Sequence, residues 1–489
     1  MYKLIIITLE LRYSTIKMNI NTNPKIYDNL YKTKIKNMNL VFNPYSYKRP
    51  LLFPQKFASL YKSIDGKKKL EDYYRDRLTF DLTKEEIKGF FQMLTEFDIT
   101  TAGDKKNTLT PNPRGSRYWR FTVWLHMTND CNFSCKYCFV SKNHEKITLE
   151  DLIKSTDRIV ETAVKNKIKR VTLVLGGGEP LLQYQLIKKL NEHVVVEAKK
   201  YNLSIRLAII TNGSLLNEEN IKYFKDNKFN VGISIDGTEK YHDAARVFKD
   251  GSGTFERVKK GLELADKHKI LSNISMTLTT ENVKGLPDFV RYILNLNPKI
   301  RIMLGLVKNT ALSVSNKAAE DKVMISELKK AYRVIGDFYA KKDLNFSYLF
   351  FHKLLDSVFM YEPHKYHCGA GSYYLTITHK GKLKLCPQLL DDTAMDVKEG
   401  EDLLTLAKAN NFLYANDFNV EKIKECSKCL WKYACRGGCP CERHNTGKDI
   451  ANPAADCHIY KTLIPFQIKL EGERLYKNML FQVKSGEKK

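Results

Sequence analysis

Six short apolar runs separated by helical patterns restrict the fold of this chain more than any other feature. They are "RFTVWLHMT" (120–128), "RVTLVLGGG" (170–178), "SIRLAIITNG" (204–213), "NVGISIDG" (230–237), "SNISMTLTT" (272–280) and "IRIMLGLVK" (300–308). Each has strand length and is rich in β-branched residues. Amphipathic helices such as "TLEDLIKSTDRIVETAVKN" and "TFERVKKGLELADKH" lie between them. A strand that returns through a helix pairs parallel to its predecessor. Six βα repeats over 118–345 therefore predict a parallel sheet curled into a partial (β/α)6 TIM-type barrel, an α/β fold. Reacting groups belong at the C-terminal ends of such strands.

At 489 residues the chain is expected to hold several domains. Residues 1–38 read as a polar extension, with Met1 and Met18 both candidate starts. In 39–100, "LVFNPYSYKRPLLF" reads as two strands around a turn, followed by the helix "QKFASLYKSI". Thr83 and Glu86 form a capping-box pattern, and Ile87, Phe90, Phe91, Leu94 and Phe97 recur at helical spacing behind it. A hairpin with about three helices is a winged-helix-like unit. A linker (101–117) leads into the barrel; an irregular, cysteine-rich segment (346–465) and a helix with a basic tail (466–489) follow it.

The chain carries 81 Lys plus Arg against 55 Asp plus Glu, a net charge of +26. This surplus fits either an acidic partner or a bias toward Asn, Lys, Ile and Tyr. The basic residues are scattered, which argues against a nucleic-acid partner. No apolar run is long enough to span a membrane. "MYKLIIITLELRY" is broken by Glu10 and Arg12 and does not read as a signal peptide. A cytoplasmic location is expected, so the 11 cysteines are thiolate ligands or redox groups rather than disulfides.

Their placement is uneven: three lie at 131–138 and eight between 368 and 457. "CNFSCKYCF" places Cys131, Cys135 and Cys138 on one loop after the first barrel strand. Zinc usually takes cysteines as distant C-x2-C pairs. Three thiolates on a 4Fe-4S cubane instead leave one iron open to a small molecule.

This C-x3-C-x2-C loop resembles that of the radical S-adenosylmethionine (SAM) enzymes. The resemblance implies a cluster whose free iron chelates SAM and whose electron cleaves it to a 5′-deoxyadenosyl radical. It extends to "GGGEP" (176–180), similar to a motif contacting the SAM amino group through Gly177, Gly178, Glu179 and Pro180, with Glu179 able to accept from an ammonium. Tyr137 is suited to pack on a planar ring. "ISIDGTEKYHDAARVFKDGSGTF" resembles the SPASM-type subgroup, in which Ser234 and Arg246 would hold the SAM ribose and carboxylate. Arg246 alone could equally form a surface salt bridge. Asp236 reads as a turn residue before Gly237, and His126 and His242 as structural.

Cys368 and Cys386 frame C-x12-G-x4-C, and Cys426, Cys429, Cys435 and Cys439 form C-x2-C-x5-C-x3-C with Cys457 downstream. This resembles the seven-cysteine SPASM pattern, which implies two auxiliary 4Fe-4S clusters. Cys368, Cys386 and Cys439 would hold the first, and Cys426, Cys429, Cys435 and Cys457 the second. The first lacks a fourth cysteine, since residues 369–385 contain none. Its iron is either open or filled by another group; Cys441 is a candidate, or else a buried spare thiol. A structural zinc ribbon is the competing reading.

The front unit resembles, in pattern, the leader-recognition element of peptide-modifying enzymes, which takes a precursor peptide as an added strand. Together these resemblances imply a SPASM peptide maturase, related to anaerobic sulfatase-maturating enzymes, that forms a thioether or carbon–carbon crosslink. A flavodoxin- or ferredoxin-type donor would supply its electrons. The alternatives are a sulfatase maturase making formylglycine and a non-catalytic metal-binding nucleic-acid module. No catalytic acid or base is assigned.

Overall fold

The computed structural model describes residues 18–46, 48–101, 120–306, 321–340, 364–389, 393–447 and 449–486. Most of the expected linker, residues 1–17 of the extension, the start of the cysteine-rich segment and the last three residues of the basic tail lie outside them.

The front unit is a three-stranded antiparallel sheet with short helices. Strands β1 (Tyr31–Ile35), β2 (Met38–Phe42) and β3 (Leu51–Pro54) pair in that order. The strands around the turn were legible as β2 and β3. β1 lies in what reads as extension, because "YKTKI" exposes alternate polar residues and buries only Ile35. Thr83 caps the helix Lys84–Glu96 as expected, with its hydroxyl accepting from Glu86 N and Glu86 reaching back to Thr83 N. Behind the cap Ile87, Phe90, Phe91 and Leu94 are buried in a core of their own. Burial stabilises each by about 1.5–3 kcal/mol relative to exposure.

All six barrel strands form where the apolar runs lie: β4 (Arg120–Thr128), β5 (Arg170–Gly177), β6 (Ser204–Thr211), β7 (Asn230–Ser234), β8 (Leu271–Leu278) and β9 (Arg301–Leu306). Neighbours pair parallel in sequence order. The helices Leu149–Lys165, Tyr184–Lys200, Glu218–Asp226, Phe255–Lys267 and Leu286–Leu296 form the crossovers. The sheet is larger than the six strands read from sequence. β10 (Tyr374–Ile377) adds parallel to β4, and β11 (Leu383–Lys384) antiparallel to β10. Thus the cysteine-rich segment is built onto the edge of the barrel sheet beside the strand that leads into the cysteine loop.

The last helix, Cys457–Gly486, starts earlier than the 466 boundary and contains Pro465. It is not simply amphipathic: Leu463, Ile464, Ile468, Glu471 and Arg474 are all almost fully buried. It packs on the helix Asp321–Phe338 and on the front sheet, where a Cβ at Gly472 would meet Leu40 and Ile35. Tyr31 also meets Trp431, and Tyr45 meets Tyr433, at ring separations of 5.4 and 4.9 Å. The front unit is therefore docked against the cysteine-rich segment. Among the described residues no helix is long and apolar enough to cross a membrane.

Candidate active site

The loop carrying Cys131, Cys135 and Cys138 leaves the C-terminal end of β4 and is fastened from two sides. From β5, Gly178 N donates to Thr128 O (2.6 Å) and Glu179 N to Asp130 O (2.8 Å). These close approaches need glycine: a Cβ at Gly178 would lie 2.1 Å from Asp130 O, and Gly177 has φ +130°. From beyond β7, Ser134 N donates to Val247 O and Lys136 N to Ala245 O, while Phe133 meets Phe248 edge-on. The loop is thus held between the GGG turn and the segment bearing Arg246.

Beside it opens a cavity of ≈ 350 Å³, within the size range of small-molecule sites. Cys131, Cys135, Cys138, Tyr137, Ser234 and Arg246 all line it, as do Gly177 and Gly178. His367, Gln388, Cys439, Asp456 and Tyr460 from the cysteine-rich segment also line it.

Glu179 and Pro180 do not line the cavity. Glu179 is fully buried, and its carboxylate, expected to reach a ligand, is already engaged. Oε1 accepts from Thr211 Oγ1 (2.7 Å) and Leu181 N (3.0 Å), and Oε2 from Asn212 N (2.7 Å). In this arrangement it ties the ends of β5 and β6 together. Burial raises its pKa, against the effect of those donors.

Asp236 corrects the turn-residue reading. It is fully buried, and its carboxylate accepts from Tyr137 OH, Arg246 Nε (2.8 Å) and Thr277 N (2.9 Å). Arg246 therefore forms a buried ion pair rather than a surface one, and its Nη1 stands 3.9 Å from Cys135 Sγ. Burial opposes the Arg246 charge, but Asp236, Tyr137 and Cys135 hold its pKa well above the ordinary value. His242 is structural, as read: Asp236 N donates to its Nδ1, and its Nε2 meets Thr254 Oγ1. His126 Nε2 lies 2.8 Å from Asn129 Oδ1.

Two further cavity residues gave no signal in the sequence. Lys142 reaches the Cys138 thiol; burial opposes its charge, yet Cys138, Cys131 and Cys135 raise its pKa. Trp124 lines the cavity, and its indole N–H is buried without an acceptor among the described residues. Lysine spacing and a strand tryptophan are too common to mark a site.

The cysteine-rich thiols feel one another's charges. Cys368 feels the charge of Cys386 and Cys439, while Cys426 feels that of Cys457 and Cys429, and Cys435 that of all three. Burial, then mutual repulsion, pushes Cys368 and Cys426 up to about 11 and Cys435 to about 12. Cys135 is also pushed up to about 11, by burial first. Thiols that penalise one another's ionisation are a donor set suited to a cationic iron centre, which offsets that penalty when it binds. Among the described residues no three His, Cys, Asp or Glu side chains converge as one metal ion would require. Thiolates around a four-iron group stand farther apart than the ligands of a single ion, so a cluster does not require that convergence.

The radical SAM superfamily model matches residues 125–293. An uncharacterised protein of Methanocaldococcus jannaschii is 32% identical over 171 residues, which cover 35% of this chain and 57% of that protein. A cysteine-type anaerobic sulfatase-maturating enzyme of Clostridium perfringens is 24% identical over 324 residues, 64% of this chain and 86% of its own. Among solved structures, anSMEcpe with bound AdoMet and the Cp18Cys peptide has a TM-score of 0.58 at 21% identity, covering 73% of this chain and 99% of its own. SuiB of Streptococcus suis, bound to S-adenosylmethionine, has a TM-score of 0.50 at 14% identity, covering 88% and 99%. At those identities the structures show likeness of fold. The matched model gives the chain a radical SAM domain, and the sequence relatives make it a homologue of the anaerobic sulfatase-maturating enzymes.

Proposed function

We propose that this chain is a SPASM-type peptide maturase that oxidatively modifies a ribosomally made precursor peptide, most simply by a thioether or carbon–carbon crosslink. The observation that carries the reading is the cavity itself, lined both by the three-thiol loop and by the cysteine-rich segment. A substrate side chain entering there lies between the two. A 4Fe-4S cluster on Cys131, Cys135 and Cys138, with SAM bound, would supply a 5′-deoxyadenosyl radical for hydrogen abstraction.

The chain's own residues would prepare this chemistry. Backbone at Gly177 and Gly178, the Ser234 hydroxyl and the Arg246 guanidinium border the space a nucleoside and an amino acid would fill. Asp236 orients Arg246 and Tyr137 from behind. The two cysteine-rich groups would hold auxiliary clusters that carry electrons, with a flavodoxin or ferredoxin as donor in the cytoplasm. The front sheet would take the leader segment as an added strand. Its docking on the cysteine-rich segment, and the 88% coverage of this chain by SuiB, a protein also seen bound to precursor peptide SuiA, support that role. An acidic leader fits the +26 charge.

Coexpression under anaerobic conditions with short reading frames adjoining the gene tests the proposal by peptide mass. A loss of two hydrogens that disappears in the Cys135→Ala control is expected. Unchanged masses for every neighbour would sink it, after deuterium uptake has been used to check for epimerisation.

A second reading, formylglycine formation on a sulfatase, is favoured by the 64% span shared with the sulfatase-maturating relative. It predicts an aldehyde, trapped by a hydrazine reagent, on a sulfatase peptide.

A further inference from the structure

Cys441 belongs to neither motif-defined group, yet it is only 1% exposed, it feels both Cys386 and Cys439, and its helix is tied to the Cys386 segment by Asn445 Nδ2 donating to Gln388 O (2.7 Å). Those two, with Cys368, make up the three-thiol group that lacks a fourth cysteine. The segment between Cys368 and Cys386, 369–385, contains none. Cys439 precedes the short helix Pro440–Asn445, and Cys441 is its second residue. The C-x-C spacing therefore brings two thiols to one group from a single rigid turn.

Two oxygen donors stand nearby. Tyr414 OH accepts from Cys368 N (3.1 Å) and lies 3.5 Å from Cys368 Sγ, so it is already engaged with one thiol of the group. Tyr374, at the start of β10, is close enough to feel Cys386, Cys368 and Cys441. A thiolate is the softer ligand and suits iron–sulfur chemistry better than a phenol oxygen. Access separates the thiols as well. Cys439 lines the substrate cavity whereas Cys441 does not.

We propose that Cys441 is the fourth thiolate of the site built from Cys368, Cys386 and Cys439, so that the chain closes this site itself and leaves no iron open for a substrate thiol. The proposal rests on the reading of this segment as a holder of auxiliary clusters. It assigns the first auxiliary site to electron transfer and leaves substrate positioning to the cavity walls.

The test uses the full chain with Cys131→Ala, Cys135→Ala and Cys138→Ala, reconstituted anaerobically, with iron, sulfide and zinc counted and spectra recorded by electron paramagnetic resonance. The parent is expected to hold about eight irons, four per cubane. Cys441→Ala is expected to lose at least one iron and to show a three-iron signal absent from the parent, while the second group keeps about four irons and reports that the segment still folds. Cys441→Ser, which retains a ligand atom, is expected to keep more iron than the alanine variant. A merely packed thiol gives the opposite order, because an unpaired hydroxyl is the costlier replacement in a buried site. Eight irons and an unchanged spectrum in Cys441→Ala would overturn the proposal alone. So would iron loss in Tyr374→Phe with none in Cys441→Ala, which would assign the oxygen ligand. A parent holding zinc or no iron would overturn the underlying reading as well.

Discussion

Replacing Asp236 by Asn tests whether the site rests on a buried charge pair. The carboxylate is fully buried, and Arg246, 8% exposed, donates to it through Nε at 2.8 Å and Nη2 at 3.4 Å. Asparagine keeps one acceptor, for Tyr137 OH or for Thr277 N but not both, since these donate to different oxygens, and it leaves a buried guanidinium without its counter-charge. Removing one partner of such a pair costs about 3–5 kcal/mol, whereas removing both can be nearly neutral. Asp236→Asn should therefore destabilise by about 3–5 kcal/mol, and Asp236→Asn/Arg246→Met should be no worse than the single variant. Equilibrium urea unfolding followed by Trp124 fluorescence, with Trp119 and Trp431 replaced by Phe in every variant, gives the four corners of the cycle. A single-variant loss below about 1 kcal/mol, or a double variant that sums the two singles, would refute the pairing argument. It would mean that the one remaining hydrogen bond suffices to hold this corner.

Three other outcomes follow from the same structure. His242 is held neutral, its pKa pushed down to about 3 by burial first and then by Arg246. Below pH 6.5 the unfolded chain takes up that proton and the folded chain does not, so stability is lost as pH falls, by about 2 kcal/mol at pH 5. His242→Gln should remove that share of the change in urea midpoint between pH 7 and pH 5; an equal fall in both proteins would contradict this. Gly178→Ala would push a methyl to 2.1 Å from Asp130 O and displace the cysteine loop. Iron should drop from about twelve to about eight per chain with the auxiliary spectra kept, and a full complement would show that the loop tolerates the shift. Thr83→Ala removes the hydroxyl that caps Lys84–Glu96 and should cost about 0.5–2 kcal/mol in urea unfolding, with Thr83→Ser recovering most of it.

What was legible in advance is what is local. The six barrel strands follow from apolar runs of strand length, and the Thr83 cap from a four-residue pattern. Cys131, Cys135 and Cys138 stand seven residues apart at most, so their spacing alone announces a shared ligand. The C-x2-C-x5-C-x3-C run of the cysteine-rich segment is local in the same way, whereas the assignment of its thiols to two groups rests on the resemblance. β1 was not legible, because Ile35 is the only residue it buries among polar neighbours; nor was β10, whose four residues gain strand form by pairing with β4.

The sequence by itself determined the βα order and the side of the sheet on which the first loop must lie. Tertiary structure alone decided what the polar residues do. Asp236 meets Tyr137 across 99 residues and Thr277 across 41; Glu179 meets Thr211 across 32; Tyr414 meets Cys368 across 46. Periodicity records which face of an element is buried, but a carboxylate's partner depends on which strand ends converge once the sheet has curled. Glu179 takes Leu181 N from its own turn, but Thr211 and Asn212 reach its carboxylate only because β6 lies beside β5.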